Sequence, residues 1–355
     1  MNFEQGNTNT RVVLKEYLPQ GTISASYFSV DKSQVVPSPD TLANDQVLVS
    51  IGALSMDPHL RLFITESDSD KSTDSYNPHD LHPLGEAMSS IGVGTVVASN
   101  SKKFSVGDRV RATDMPWQEF AVLPDHLLEK LPGDDSIALE DYIGVLGMPA
   151  FTAYLGVVTL GQAKAGETLL VSAASGAVGQ MVVQLAKARG LTVVGVAGSD
   201  QKTAYVSKIG ADAVINYKTC GDFEQAIKAA APQGIDVYFD SVGGEFLDAT
   251  LLNLNSRARV ILCGSMTTFG ADRSTVKGVK NLDTMIVKEV VMRGLFYQPH
   301  VGTQAEADFV VEASRLVKQG AVHFKTDVRE GLEQAPQALA DLYSGGNFGK
   351  LIVRV

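Results

Sequence analysis

Residues Thr168 to Asp200, TLLVSAASGAVGQMVVQLAKARGLTVVGVAGSD, constrain this chain more than any other stretch. Leu169-Leu170-Val171 has the length and branching of a buried strand. A turn of small residues follows, Ala173-Ala174-Ser175-Gly176-Ala177-Val178-Gly179. Val178, Met181, Val182, Leu185 and Ala186 then fall at helical spacing, and Gly190 predicts a left-handed stop. A second apolar run, Val193 to Val196, completes strand–turn–helix–strand. The turn fits a dinucleotide fingerprint, with Ala174 in the first glycine place and Gly176 and Gly179 in the next two. Such a turn lets backbone N–H groups at a helix N-terminus approach a pyrophosphate, where unpaired donors and the helix dipole favour anions. A small-residue turn alone carries little weight; the flanking apolar runs supply it.

The end of the second strand selects the nucleotide. An NAD site carries an acid about twenty residues on, bonded to the ribose hydroxyls. Here the strand ends in Ala197-Gly198-Ser199, a small loop with Lys202 just beyond. An acid would repel a 2′-phosphate, whereas a lysine accommodates one. NADPH is therefore the expected cofactor, with Asp200 the one neighbour against it.

At 355 residues the chain exceeds one ordinary core, so two domains are expected. A net charge of −10 argues against nonspecific nucleic-acid or anionic-membrane binding, which needs a basic surface. Two cysteines, Cys220 and Cys263, cannot build a disulfide framework or a four-thiolate zinc site. Met1 to Thr10 is polar and no apolar run approaches the length of a membrane span, so the expectation is a cytoplasmic protein.

Taken in order, residues 1–10 read as a disordered lead-in. Short strand signals follow at Arg11–Lys15, Gln46–Ile51, Gly92–Val97 and Asp108–Arg111, separated by turn residues. They predict a mostly antiparallel β half, a small barrel, ended by Leu131-Pro132-Gly133-Asp134-Asp135. Glu66 to Pro83 is a polar insertion, read as a mobile surface loop. From Asp141 strands alternate with helices: Ala213–Asn216, Ile235–Asp240, Ala258–Cys263 and Val290–Phe296, with helices over Phe223–Ala230, Phe246–Leu254 and Ala305–Lys318. That alternation means a parallel sheet covered on both faces. The last segment, Gly349–Val355, has no partner left in that sheet and is expected to return to the β half.

Several phrases carry a family resemblance: Met56-Asp57-Pro58, Leu146-Gly147-Met148-Pro149, Thr152-Ala153-Tyr154, the 173–179 turn, Ile235–Asp240, Val242-Gly243-Gly244 and Asn347-Phe348-Gly349-Lys350. The chain resembles the zinc-independent medium-chain dehydrogenase/reductases from about Arg11 to Val355. Within them it is most similar to the leukotriene B4 dehydrogenase/prostaglandin reductase, alkenal double-bond reductase and curcumin reductase group. The resemblance implies an α/β chain: a GroES-like β-barrel over 1–140, completed by about 320–355, and a doubly wound Rossmann sheet over 141–319. It also implies a homodimer and NADPH-dependent reduction of the C=C bond of α,β-unsaturated aldehydes and ketones, hydride going to the β-carbon. A quinone reductase and a redox-silent NADPH-binding protein are the competing readings.

Residue by residue, the resemblance places Gly176, Ala177, Val178 and Gly179 at the pyrophosphate and Lys202 and Tyr217 at the 2′-phosphate. Ser241, Cys263, Ser265 and Asn347 would face the cofactor. Cys263 reads equally as a small buried residue, and Tyr217 as a cap on the sheet. Met56, His59 and Phe269 would line the substrate pocket. His59 and Phe269 stand where the family has tyrosines, so two phenolic donors are missing. His59 either donates to the substrate carbonyl or only lines the pocket. His79 and His82 read as solvated loop residues. Zinc-dependent relatives use cysteine and histidine ligands in the barrel; here both cysteines lie in the Rossmann half and Glu86 lacks a histidine neighbour, so no metal is expected.

Overall fold

The computed structural model describes residues 7–19, 23–65, 81–134, 136–268 and 275–355. The chain forms two compact units, Met1–Ile143 with Thr326–Val355, and Gly144–Lys325. The first contains β1 (Arg11–Leu14), β2 (Phe28–Asp31), β3 (Gln46–Ser55), β4 (Ser89–Ser99), β5 (Arg109–Pro116), β6 (Phe120–Pro124) and β7 (Glu129–Lys130). The second runs α1 (Met148–Tyr154), β8 (Thr168–Val171), α2 (Gly179–Ala188), β9 (Thr192–Ala197), α3 (Asp200–Lys208), β10 (Ala213–Asn216) and α4 (Phe223–Ala230). It continues through β11 (Ile235–Asp240), α5 (Gly244–Leu252), β12 (Leu254–Leu262), α6 (Asp283–Lys288), β13 (Val291–Gly294) and α7 (Gln304–Lys318). The chain then returns to the first unit with β14 (Thr326–Glu330), α8 (Ala335–Ser344) and β15 (Lys350–Arg354).

The second unit is a six-stranded parallel sheet in the order β10-β9-β8-β11-β12-β13. Because successive side chains on a strand point to opposite faces, its buried runs feed two cores. Leu169, Val171, Val193, Val237 and Phe239 join α1, α2 and α7 in one. Leu170, Val194, Val196 and Tyr238 join α4 and α5 in the other. The apolar stripe of α2 fills the first core through Met181, Val182, Leu185 and Ala186, and Gly190 stops the helix at φ 78°.

The first unit is a mainly antiparallel sheet in the order β14-β15-β3-β4-β5-β7, with β6 also on β3 and a separate β1-β2 pair. The last strand, β15, pairs β3 and β14, as its lack of a partner in the parallel sheet predicted. Trp117 is buried here, its indole N–H donating to Ser90 Oγ at 3.0 Å. The fold is thus α/β with a β-rich unit and a doubly wound unit, in line with the expected class.

Three expectations need correction. Residues 7–10 are bound into the β unit: Thr8 bridges Val35, and the buried Asn9 amide exchanges 2.9 Å hydrogen bonds with Phe120. Lys202 lies in the first turn of α3 rather than in a loop; Ser199 caps that helix by accepting from the Lys202 N–H. Most of the expected insertion (66–80), with His79, lies outside the described residues, as does Phe269. His82 is described and is no solvated loop residue. Its Nε2 is buried, and desolvation holds its pKa below the usual histidine value.

Candidate functional site

In the doubly wound unit the carboxyl ends of β8, β9, β11 and β12 carry the candidate cofactor residues, where ligands bind in open α/β sheets. After β8 the chain turns tightly into α2. A Cβ on Gly179 would lie 2.3 Å from Ala173 O, so only glycine lets helix and turn approach this closely. The N–H groups of Ala177, Val178 and Gly179 have no acceptor among the described residues, and no side chain caps α2. Three unpaired donors at the positive end of a ten-residue helix fit a pyrophosphate.

At the end of β9, Gly198 lies under the Tyr217 ring; a Cβ there would meet Tyr217 Cε1 at 2.7 Å. Tyr217 N–H donates to Ala197 O at 3.1 Å, and the ring is left partly exposed. Lys202 lies half-buried in the first turn of α3, the helix that follows β9. Asp200, the one residue that argued against a 2′-phosphate, has its Oδ1 taken by Asn216 Nδ2 at 2.8 Å. The residues present therefore suit a phosphorylated ribose.

Across the sheet, Ser241, Cys263 and Ser265 are brought together at the ends of β11 and β12. Cys263 and Gly264 N–H both donate to Asp240 O, at 2.7 and 3.1 Å. Ser265 Oγ is hydrogen-bonded to Thr268 Oγ1. Burial pushes the Cys263 thiol up to about 12, so it stays neutral and is no nucleophile at physiological pH.

The β-rich unit holds a second cluster. β3 runs into Met56-Asp57-Pro58, and Pro58–Phe63 forms a short 3-10 helix carrying His59. His59 is half-buried, its ring edge-on to Phe63 at 6.1 Å. Met56 is packed in the core rather than along a pocket wall. Behind the turn lies a buried ion pair, with Lys350 only 1% exposed and Asp57 4%. Lys350 Nζ donates to Asp57 Oδ1 at 2.7 Å and Met56 O at 3.0 Å, and Ser55 Oγ donates to Asp57 Oδ2. Burial alone would raise the Asp57 pKa; the Lys350 charge, the His59 field and these hydrogen bonds outweigh it and hold the pKa below the usual value. Tyr343 on α8 donates to Pro58 O, and the buried Arg61 guanidinium sits 5.5 Å over its ring. Asn347 is in this unit too, its Nδ2 donating to Gly349 O at 2.9 Å.

Asp57, Lys350, Arg61, Tyr343 and Asp240 were given no role from the sequence, although Asp57, Asp240 and Lys350 lie in phrases that carry the family resemblance. The one available signal was that Met-Asp-Pro and Asn-Phe-Gly-Lys both read as special phrases; the ion pair joins them. Among the described residues no three His, Cys, Asp or Glu side chains converge as a metal site.

A parallel sheet with a phosphate-binding turn, in a chain whose β-rich unit takes in its own C-terminal strand, defines the class, a two-unit dehydrogenase/reductase. Comparison with known proteins agrees. The family described as "Zinc-binding dehydrogenase" matches residues 177–313, and "N-terminal domain of oxidoreductase" matches 11–131. The chain is 36% identical to a 2-alkenal reductase (NADP(+)-dependent) of Nicotiana tabacum, covering 98% of both chains. It is 33% identical to an NADPH-dependent curcumin reductase of Escherichia coli strain K12, covering 99% of this chain and 98% of that one. Among solved structures, CurA from Vibrio vulnificus in complex with NADPH superposes with a TM-score of 0.87 at 32% identity, covering 98% of this chain and 99% of that one. The chain belongs to the zinc-independent medium-chain dehydrogenase/reductase family.

Proposed function

We propose that this protein reduces the C=C bond of α,β-unsaturated aldehydes and ketones with NADPH. The observation that carries the reading is its end-to-end similarity to reductases named for 2-alkenals and curcumin, on a sheet whose phosphate turn and β9 end suit NADPH. When bound, the dihydronicotinamide supplies the hydride. The chain's own part is to hold the enone in place and to stabilise negative charge on its carbonyl oxygen. His59 is the candidate donor to that oxygen as the enolate forms, and a proton then reaches the α-carbon. The reading routes no step through a metal. An NADPH-consumption screen over alkenals, enones and quinones tests the reading; faster turnover of a simple quinone would favour a quinone reductase.

The 2′-phosphate assignment predicts that Lys202→Ala weakens NADPH and leaves NADH almost unchanged. A charge-assisted contact to phosphate is worth about 1.5–3 kcal/mol, a loss of roughly tenfold or more in affinity. Equal losses for both nucleotides in a fluorescence titration would remove Lys202 from the phosphate site.

The reading includes a homodimer and a cytoplasmic, reducing setting, which suits two free cysteines. Among the described residues β13 is an edge of the parallel sheet, and a sheet edge offers backbone groups for pairing. Around it Ile286, Val287 and Val291 are 79%, 81% and 57% exposed. A second copy meeting the same edge would cover this patch on both chains at once. Ile286→Glu with Val287→Glu should turn a dimer into a monomer by light scattering; an unchanged mass would place the interface elsewhere. No described helix is long and apolar enough to cross a membrane.

A further inference from the structure

Asp240, at the end of β11, is 0% exposed and pairs with no cation among the described residues. A buried carboxylate without a counter-ion is costly unless hydrogen bonds replace its hydration. Here they converge from three directions. Oδ1 accepts from Tyr238 OH at 2.7 Å, Val242 N–H at 2.9 Å, Gly243 N–H at 3.0 Å and Ser172 Oγ at 3.2 Å. Oδ2 accepts from Gly243 N–H at 3.2 Å. The Asp240 carbonyl takes Cys263 and Gly264 N–H, and Ser172 Oγ accepts Ser241 N–H at 2.8 Å.

One residue thereby fixes the ends of β8, β11 and β12 and the turn into α5. That turn is strained in a specific way: Gly243 has φ 68° and ψ −151°, a region open to glycine alone. A Cβ on Gly243 would lie 3.0 Å from Ser265 Oγ. The carboxylate holds Gly243 in this conformation, which brings Ser241, Cys263 and Ser265 onto one edge. An apolar residue would fill the space at less cost in desolvation, but could not hold the two N–H groups.

We propose that Asp240 is a positioning residue for the nicotinamide half of the cofactor, acting through the Ser241–Gly244 turn. The proposal rests on the NADPH reading above. Its test separates the two halves of the nucleotide. The full chain, wild type and Asp240→Asn, is titrated calorimetrically with NADPH and with 2′,5′-ADP, which lacks the nicotinamide. Losing hydrogen bonds to a charged group should weaken NADPH by about tenfold, while 2′,5′-ADP, seated at the α2 and β9 ends, should change by less than about twofold. Ser172→Ala keeps the carboxylate and removes only its hydroxyl partner, so it covers the case in which Asp240→Asn fails to fold. It should give a smaller loss, about threefold, again confined to NADPH. Equal weakening of both ligands, or no change in either, would overturn the proposal. Failure of wild type to bind NADPH at all would instead remove the cofactor reading on which it stands.

Discussion

Lys350→Met should strand Asp57 as an uncompensated buried carboxylate and destabilise the protein by about 3–5 kcal/mol. A melting-temperature drop of roughly 5–15 °C would follow. The size of the effect comes from geometry: both groups are almost fully buried, and Lys350 Nζ also holds Met56 O. Restoring neutrality with Asp57→Asn on the Lys350→Met background should recover most of the lost stability, because a buried pair replaced as a whole is often nearly neutral. A double variant no more stable than the single one would show that the pair is not the source. Acid provides a second check. The Asp57 pKa is lowered in the folded state, so its contribution is present above the unfolded carboxylate pKa of about 3.9. It is lost as pH falls through the folded value. Wild type should therefore lose stability below about pH 4 more steeply than the double variant.

His59→Ala should lower kcat more than it raises KM, because a donor to the developing enolate acts in the transition state. Loss of an oxyanion donor costs up to about 2.7–4 kcal/mol, although a water taking its place would hold the loss nearer tenfold. His59→Tyr should keep or raise activity by restoring a phenolic donor. The position supports the test: His59 lies on a short helix whose first carbonyl is held by Tyr343 and whose base is held by the Asp57–Lys350 pair. If His59→Phe turns over enones as fast as wild type, the imidazole is pocket lining.

Much of the doubly wound unit was legible because its strands are buried on both faces. Leu169–Val171, Val193–Val196 and Ile235–Asp240 form apolar runs that periodicity detects, and Gly190 marked the helix end. The β-rich unit was harder. β3 was expected to end at Ile51 but reaches Ser55, because Gly52-Ala53 breaks the apolar run where the strand shifts register. α3 was missed as a helix although Ser199 supplies its cap, since a polar exposed helix gives no apolar stripe. The NADPH turn was visible locally. The Asp57–Lys350 pair was not, because its partners stand 293 residues apart and each reads as a surface charge. Asp240 was hidden for a similar reason: an acid ending a strand is ordinarily solvated, and only the turn folded around it shows otherwise.

The most direct test of the central claim follows the hydride. NADPH deuterated at the transferable C4 position is incubated with the protein and a short enone, in ordinary water with excess chelator, and the product is read by NMR. The expected result is one NADPH consumed per product, deuterium on the β-carbon, a solvent proton on the α-carbon and no effect of the chelator. NADPH that binds but reduces no C=C bond, deuterium on the carbonyl carbon, or activity that requires added zinc would contradict it.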